Sequence, residues 1–305
     1  MKKIRLGATD LQVSEIGLGF MRLSRLDRAE AEKLIATAVD EGITFFDHAD
    51  VYGGGRSEEL FADAVSMNPS LRSKIVLQSK CGIRRGFYDF SKEHIISSVE
   101  GSLKRLKTEY LDVLLLHRPD ALMEPEEVAE AFDILERDGK VKYFGVSNHN
   151  PMQIDLLSRH LNQDLIVNQM QLSLAHCPMI DEGLNVNTGN DLAPMRSGST
   201  IEYCRLNDIT VQAWSPFQYG VFEGTFLGND DYAELNKEID SIARDRGVTD
   251  SAIAIAWILR HPAKIQPIVG TTNSKRLSDI AKASDVMLTR QEWYRLYLAA
   301  GKKLP

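Results

Sequence analysis

The stretch Leu111-Asp112-Val113-Leu114-Leu115-Leu116-His117 is a nearly continuous apolar run that ends on an imidazole. A run of this length predicts a buried β-strand that places His117 at its carboxyl end. A helix-periodic segment beginning at Ser91 comes before this strand, and a second segment beginning at Pro125 comes after it. The second segment leads directly to another strand, predicted for residues 141–146. This strand–helix–strand succession is the repeating unit of a parallel sheet.

The same alternation runs through the whole chain. After a short hairpin predicted for residues 3–16, the apolar pattern predicts strands at 16–19, 43–46, 74–79, 111–116, 141–146, 165–168, 209–213 and 265–269. Helices are predicted between the strands; the first has Asp27 as its N-cap and ends at Gly42. Eight strands alternating with helices favour a closed (β/α)8 TIM barrel, formed as a single domain over residues 1–305.

An open, doubly wound sheet is the alternative architecture. Such sheets usually carry a glycine-rich fingerprint after the first strand, and Gly17-Leu18-Gly19-Phe20-Met21-Arg22 lacks its third glycine. Two long connections, 171–199 and 214–231, interrupt the alternation. Both follow strands, so in a barrel they are expected on the C-terminal, active-site face, where long loops are usually functional or mobile.

The composition is that of an ordinary globular protein, with 43% hydrophobic and 26% charged residues in a chain of 305. The net charge of −7 and the lack of a long basic run argue against a nucleic-acid surface. The three cysteines (Cys81, Cys177 and Cys204) lack metal-ligand spacing, so no metal is expected. Their small, odd number fits a reducing compartment better than a disulfide framework. The basic start has no apolar stretch behind it, and no run approaches the ~20 apolar residues of a membrane span. We therefore predict a cytoplasmic location.

Four polar residues, Asp47, Tyr52, Lys80 and His117, lie at or just past the ends of apolar runs. The strand ends of a barrel meet on one face, so these side chains are expected to converge there. A phenol has a pKa of ~10 and is a sluggish proton donor until a nearby ammonium stabilises the phenolate. Lys80 can supply that charge, and Asp47 can pair with Lys80 so that the ammonium is not buried alone. The four residues together predict a tuned proton donor.

Several motifs, in this order along the chain, resemble those of the aldo-keto reductase family. They are Gly42-Ile43-Thr44-Phe45-Phe46-Asp47-His48-Ala49-Asp50-Val51-Tyr52-Gly53, Gln78-Ser79-Lys80, Leu115-Leu116-His117-Arg118-Pro119, Gly145-Val146-Ser147-Asn148, Val167-Asn168-Gln169, Ala213-Trp214-Ser215-Pro216 and Gly270-Thr271-Thr272-Asn273. The resemblance covers nearly the whole chain. Within the family, His48 and the segment Thr289-Arg290-Gln291-Glu292-Trp293 look most like bacterial oxidoreductases of the YdhF type.

The resemblance implies NADPH-dependent reduction of aldehydes or ketones to alcohols, with hydride from the nicotinamide and a proton from the protein. On this reading Tyr52 is the general acid, and Lys80 and Asp47 are the pair that tunes it. His117 is placed to hydrogen-bond the substrate oxygen and fix its angle. The expected partner is a small carbonyl compound. The residues do not specify which carbonyl compound, nor an oligomeric state.

The resemblance also implies a set of cofactor-binding residues. Ser147, Asn148 and Gln169 match positions that hold the nicotinamide carboxamide, and Trp214 matches the aromatic on which the nicotinamide stacks. Ser215 and the loop after it are placed for the pyrophosphate. Gly270, Thr272, Lys275 and Arg276 lie beside a predicted helix N-terminus, where the two cations favour the extra phosphate of NADPH. The chain departs from the family pattern at Ser278-Asp279-Ile280, which leaves the strength of the preference for NADPH over NADH open.

Two other functions remain open from the residues alone. One is a lyase that uses Lys80 as a Schiff-base nucleophile, which would require the pKa of the lysine to be lowered. The other is a non-catalytic, NADP-binding regulatory subunit, because some aldo-keto reductase relatives serve as channel subunits. A neighbouring carboxylate argues against the first function, and a complete set of four polar residues argues against the second.

Overall fold

The protein is built around a closed barrel of eight parallel strands; the structure is a computed structural model that describes residues 1–67 and 69–304. The strands in these two ranges are β1 (Lys3–Arg5), β2 (Gln12–Ser14), β3 (Gly17–Gly19), β4 (Phe45–Asp47), β5 (Val76–Cys81), β6 (Ile83–Arg84), β7 (Phe87–Tyr88), β8 (Leu111–Leu116), β9 (Val141–Ser147), β10 (Leu165–Gln171), β11 (Thr210–Trp214) and β12 (Gln266–Val269). The barrel order is β3-β4-β5-β8-β9-β10-β11-β12, and β12 pairs with β3 to close it. The predicted TIM barrel and its N-terminal hairpin, β1–β2, are confirmed.

Helices follow the barrel strands and pack against their neighbours around the outside. They are α1 (Arg28–Asp40), α2 (Arg56–Val65), α3 (Pro69–Arg72), α4 (Lys92–Leu106), α5 (Pro125–Arg137), α6 (Pro151–Ser158), α7 (Pro178–Leu184), α8 (Thr200–Leu206), α9 (Ala233–Arg246), α10 (Asp250–Leu259), α11 (Ser274–Ala281) and α12 (Arg290–Ala299). Helices α3, α7, α9 and α12 and the small β6–β7 hairpin were not predicted from the sequence. Helix α7 lies inside the connection 171–199, which is therefore partly helical.

The helix starts follow from local chemistry. Asp27 caps α1 with its side chain accepting from the backbone N–H of Glu30, and Glu30 returns the bond in a capping box. Ser91 caps α4 by accepting a hydrogen bond from the backbone N–H of His94, and Pro125 occupies the first turn of α5, where its missing N–H costs nothing. These signals explain why the predicted starts lie within a residue or two of the observed ones.

Two apolar layers form on either side of the strands because successive side chains of a strand point in opposite directions. On β8, Leu114 and Leu116 join the large core between strands and helices, whereas Val113 and Leu115 point inside the barrel. The inner cluster also includes Leu6 and Val13 from the N-terminal hairpin. The hairpin thus seals the amino-terminal end of the barrel with apolar side chains, and polar groups collect at the other end.

No helix within the two described ranges combines the length and the apolar character needed to cross a membrane.

Candidate active site

The four polar residues predicted from the strand ends meet in one cluster. The Nζ of Lys80 lies 2.7 and 2.8 Å from the two carboxylate oxygens of Asp47 and 3.1 Å from Oη of Tyr52. It also donates to the backbone carbonyl of His48 at 2.8 Å. The ring of His117 stands edge-on to that of Tyr52, with 6.0 Å between centroids. The register places Asp47 and Lys80 on adjacent parallel strands, at their carboxyl ends.

A tight turn brings Tyr52 into this cluster. The residue begins a 3-10 turn, Tyr52–Gly55, only five positions after Asp47. Gly53 follows with a φ of 60°, and a β-carbon there would lie 2.5 Å from Oγ of Ser24. Only glycine fits both the backbone conformation and the space, so the turn that aims the phenol depends on Gly53.

The electrostatics of the cluster keep Lys80 charged and Tyr52 protonated. Burial lowers the pKa of Lys80, but the neighbouring Asp47 carboxylate and Tyr52 outweigh burial and leave the pKa raised. For Tyr52, burial raises the pKa and the Lys80 ammonium opposes it, with a net rise. The net direction for Tyr52 is the reverse of the lowering expected from the sequence, because burial of the phenol outweighs the effect of the Lys80 ammonium on its pKa.

His117 is a neutral imidazole. Its pKa lies well below the ordinary value, first because of burial and then because of the positive charges of Lys80 and Arg118. A neutral imidazole carries a single N–H, so His117 can donate one hydrogen bond into the cavity without adding charge there.

A line of buried glutamine amides lies beneath the cluster and runs across the barrel interior. Gln78 and Gln169 each donate to Oδ1 of Asp47, at 2.7 and 3.0 Å, and both also donate to Oε1 of Gln212. Gln212 donates in turn to Oε1 of Gln266, and Nε2 of Gln266 donates to the backbone carbonyl of Ser14 at 2.7 Å. We call Gln78, Gln169, Gln212 and Gln266 the amide relay. It supports the Asp47 carboxylate from below with donors from two other strands.

The cluster opens into a cavity of about 780 Å³ on the carboxyl-terminal face of the barrel. Asp47, Tyr52 and His117 line it, and Lys80 lies behind them, almost fully buried. Among the predicted cofactor-binding residues, seven line the cavity: Ser147, Asn148, Gln169, Trp214, Ser215, Gly270 and Arg276. The structure therefore gathers most of the predicted site residues around one space.

Asn148 links three of these residues through its side chain. It has a left-handed backbone with a φ of 61°, a conformation that asparagine tolerates better than most residues. Its Nδ2 donates to the backbone carbonyl of His117 and to Oγ of Ser147, and its Oδ1 accepts from the indole N–H of Trp214 at 3.1 Å. The side chain thus links the backbone of His117 to the hydroxyl of Ser147 and the indole of Trp214.

A second group of cations lies at the other end of the cavity, near the start of α11. Arg276 lines the cavity there, close enough to Arg22 that its charge contributes to the lowered pKa of Arg22, after burial and Arg25. Arg22 itself donates twice to the backbone carbonyl of Gly270. Lys275 and Thr272 are not among the lining residues, although Thr271 is. Lys275 extends into solvent and pairs with Asp279 at 3.0 Å.

Comparison with known proteins gives the same family as the motifs. Residues 15–297 match the model of the aldo/keto reductase family. The chain belongs to this family. It is 36% identical to a 6-dehydroglucose reductase of Agrobacterium fabrum, over all of both chains, and 33% identical to the oxidoreductase YdhF of Escherichia coli, over 98% of each. The crystal structure of the thermostable aldo-keto reductase Tm1743 with the inhibitor epalrestat matches with a TM-score of 0.79 at 25% identity, covering 98% of this chain and all of the other.

The predicted resemblance to the aldo-keto reductases, including YdhF, is confirmed. As a member of the family, the chain is an NAD(P)H-dependent oxidoreductase that acts on small carbonyl compounds. The closed barrel and the cavity at its carboxyl-terminal face agree with this assignment.

His48 occupies a packing position in this aldo-keto reductase. Its ring stacks on Phe20 and meets the edge of Phe61, with 4.7 Å between centroids in both contacts. Burial, and then the charge of Lys80, lower its pKa to about 3. Neither ring nitrogen has a hydrogen-bond partner in the described part of the chain. The residue contacts the active-site cluster through its backbone carbonyl, which accepts from Lys80.

The amide relay is the main part of the site that sequence reasoning missed. Gln78, Gln212 and Gln266 each place a neutral amide within a predicted strand, directly after an apolar residue, and this repetition was the available signal. Arg118 was not predicted as a site residue from the sequence, yet it lines the cavity beside His117.

Proposed function

We propose that this aldo-keto reductase reduces aldehydes or ketones to alcohols with NADPH, and that Tyr52 donates the proton. The observation that carries the proposal is the contact of Lys80 with both Asp47 and Tyr52 in a cluster that opens into the cavity. A carbonyl reduction needs a proton at oxygen as well as a hydride at carbon. A phenol next to a fixed ammonium supplies that proton.

The protonation states of the side chains in the cluster suit this role. Tyr52 rests in its protonated form because burial raises its pKa. When the phenol gives up its proton, the Lys80 ammonium at 3.1 Å stabilises the phenolate that remains. Asp47 holds Lys80 in place and keeps it charged. His117, being neutral, orients the substrate oxygen towards Oη of Tyr52 by a single hydrogen bond.

The polar groups around the cavity fit a nicotinamide cofactor. The carboxamide oxygen of Gln169 accepts no hydrogen bond within the described ranges and is free to receive the carboxamide N–H of the cofactor. Ser147 and Asn148 border the same position, and Trp214 offers an aromatic face for stacking. Ser215 leads into the loop proposed to wrap the pyrophosphate. When bound, the reduced nicotinamide supplies the hydride.

The choice of NADPH over NADH rests on the cationic end of the cavity. Arg276 offers a guanidinium beside Gly270 and the start of α11, and its side chain has no ion-pair partner in the part of the chain that the structure describes. A bidentate donor of this kind suits a ribose phosphate. Lys275 and Thr272 lie outside the lining of the cavity, and Lys275 is paired with Asp279 in solvent, so their part in holding the phosphate is minor.

The two rival functions fit the geometry less well. A Schiff-base lyase needs a neutral amine, but the raised pKa of Lys80 keeps it an ammonium. Borohydride trapping with a carbonyl compound and no cofactor is therefore expected to leave Lys80 unmodified. A non-catalytic NADP-binding subunit has no need of a neutral imidazole and a protonated phenol facing one cavity. Cofactor binding without turnover of any carbonyl compound would favour the non-catalytic NADP-binding function over the reductase.

The direct test is loss of NADPH absorbance with a panel of carbonyl compounds. The panel includes aryl aldehydes, small ketones and a sugar aldehyde, since one relative is named for 6-dehydroglucose. We expect turnover by the wild type and a fall in kcat of about 10²- to 10⁴-fold in Tyr52→Phe. NADPH binding, followed by fluorescence, should stay within about threefold. Tyr110→Phe, next to the amino end of β8, is the matched control and should keep full activity. Substantial turnover by Tyr52→Phe would show that another group donates the proton.

A further inference from the structure

Arg118 is a cation in the cavity wall, and no residue of the described ranges forms an ion pair with it. It follows His117 at the carboxyl end of β8 and lines the cavity with Trp214. Its guanidinium carbon lies 5.5 Å from the centroid of the Trp214 ring, within the range of a cation–π contact. Within residues 1–67 and 69–304 it makes no ion pair and no hydrogen bond through its side chain.

Three other buried or half-buried arginines in the described part of the chain have partners. Arg72 pairs with Asp112 and Arg105 pairs with Glu58, while Arg22 in the cavity donates to the carbonyl of Gly270. A guanidinium carries five donors in a planar fork that suits an oxyanion. An arginine left unpaired beside the reactive groups therefore indicates that its partner arrives with a ligand.

Arg118 belongs to the substrate end of the cavity and not to the phosphate end. Its charge contributes to the lowered pKa of His117 and opposes the raised pKa of Tyr52, so it lies within electrostatic reach of both. The phosphate end, by contrast, has its own guanidinium in Arg276. The two cations thus serve different parts of the space.

The cavity also has apolar and aromatic walls. Met21, Val51, Ile83, Trp214 and Phe222 contribute to them. An apolar lining with one cation suits a ligand that has an apolar body and a single anionic end. The reactive carbonyl must reach Tyr52 and His117, so the anionic group lies on the same molecule, at the side that faces Arg118.

We propose that Arg118 is a substrate-binding residue that selects aldehydes or ketones carrying a carboxylate, with an apolar segment between the carboxylate and the carbonyl. The inference rests on the proposed reductase function and names the substrate class of the same site. The guanidinium binds the carboxylate through charge-assisted hydrogen bonds, and Trp214 holds the guanidinium in place through its ring face.

The test compares two aldehydes that differ only in charge: 4-carboxybenzaldehyde and methyl 4-formylbenzoate. The readout is the ratio of their kcat/KM values in wild type, Arg118→Gln and Arg118→Lys. We expect the wild type to favour the acid and the ratio to fall ~10- to 100-fold in Arg118→Gln, the range for a charged hydrogen bond. Arg118→Lys should keep part of the preference, because it keeps the charge but loses the planar fork. Arg85→Gln, which removes an exposed charge outside the cavity, should keep the wild-type ratio.

Calorimetry with the two product alcohols, 4-(hydroxymethyl)benzoate and its methyl ester, separates this inference from the reductase proposal. In the presence of NADPH these alcohols report binding without turnover, because neither the alcohol nor the reduced cofactor can accept a hydride. If neither aldehyde is reduced but the acid alcohol binds more tightly through Arg118, the proposed reaction fails and the assignment of Arg118 stands. If the wild type treats acid and ester alike, or Arg118→Gln weakens both equally, Arg118 is not a carboxylate receptor. A loss of NADPH affinity in Arg118→Gln that accounts for the whole effect would overturn the assignment as well.

Discussion

Lys275 and Arg276 are neighbours in the first turn of α11, yet only Arg276 faces the cavity. Lys275 extends into solvent with 87% of its side chain exposed and pairs with Asp279, whereas Arg276 lines the cavity near Arg22. Adjacent helical positions point in directions about 100° apart, which separates their surroundings. Substitutions at these two positions can therefore be compared to test the proposed phosphate site.

We expect Arg276→Ala to weaken NADPH binding by about 10- to 100-fold and NADH binding much less, because the lost contact is to the phosphate that only NADPH carries. Lys275→Ala removes the same formal charge from a solvent-exposed ion pair and should change NADPH binding by about threefold or less. Fluorescence titration of both variants with both cofactors measures these affinities. Equal losses for NADPH and NADH in Arg276→Ala would exclude a phosphate contact.

Asp50, behind the active-site cluster, is expected to destabilise the fold at neutral pH. Burial, and then the nearby charge of Glu58, raise the pKa of Asp50 to about 6. A carboxyl group whose pKa is raised on folding binds its proton more tightly in the folded state. Its contribution is therefore fully present below the unfolded value of ~3.9 and is lost as the pH rises through about 6.

We predict that Asp50→Asn is more stable than the wild type at pH 8, by about 1–3 kcal/mol, and that this advantage shrinks towards pH 4. Urea unfolding at the two pH values gives the difference. Asp40→Asn, which changes an exposed carboxylate at the end of α1, should show no such pH-dependent gain. A pH-independent effect of Asp50→Asn would mean that the substitution acts through packing.

Gln78 tests whether the amide relay supports catalysis or only packing. Gln78→Met keeps the volume but removes donors to Asp47 and Gln212. It also removes a buried oxygen, Oε1 of Gln78, that has no partner within the described residues. Because these changes offset each other, we expect unfolding free energy to change by only about 1 kcal/mol.

Turnover should respond more than stability does. With one donor fewer on its carboxylate, Asp47 holds Lys80 less firmly, and kcat should fall about tenfold, with the acid side of the pH–rate profile moving to higher pH. Gln291→Met on exposed α12 is the matched control. A variant that loses stability but keeps kcat and its pH profile would assign the relay to packing alone.

The strands and the catalytic cluster could be predicted because they depend on local patterns. The run 111–116 matched β8 because apolar side chains on both faces of a strand leave a continuous signal. Lys80 and His117 were found because each breaks such a signal at a strand end. Helix α7 was missed because it is short, starts at Pro178, and lies within a glycine- and asparagine-containing connection that reads as loop.

The amide relay and the isolation of Arg118 could not be predicted, because both depend on distances between remote segments. Gln266 and its acceptor Ser14 are 252 positions apart. A single glutamine in a strand indicates only an interruption until the closed barrel brings four of them into one line. Likewise, whether a cavity arginine is paired becomes apparent only when every acid near it has been located.

The amide relay also has a chemical consequence. The Asp47 carboxylate only accepts hydrogen bonds, so Gln78 and Gln169 turn their NH2 groups to it. The same two NH2 groups also start a second path of donation that runs away from the carboxylate, through Gln212 and Gln266 to the backbone carbonyl of Ser14. Glutamine amides neither gain nor lose a proton across the range in which proteins stay folded. The amide relay therefore does not titrate. Changes in pH affect the proposed proton transfer through the ionisable groups that line the cavity, and not through the amides that support them.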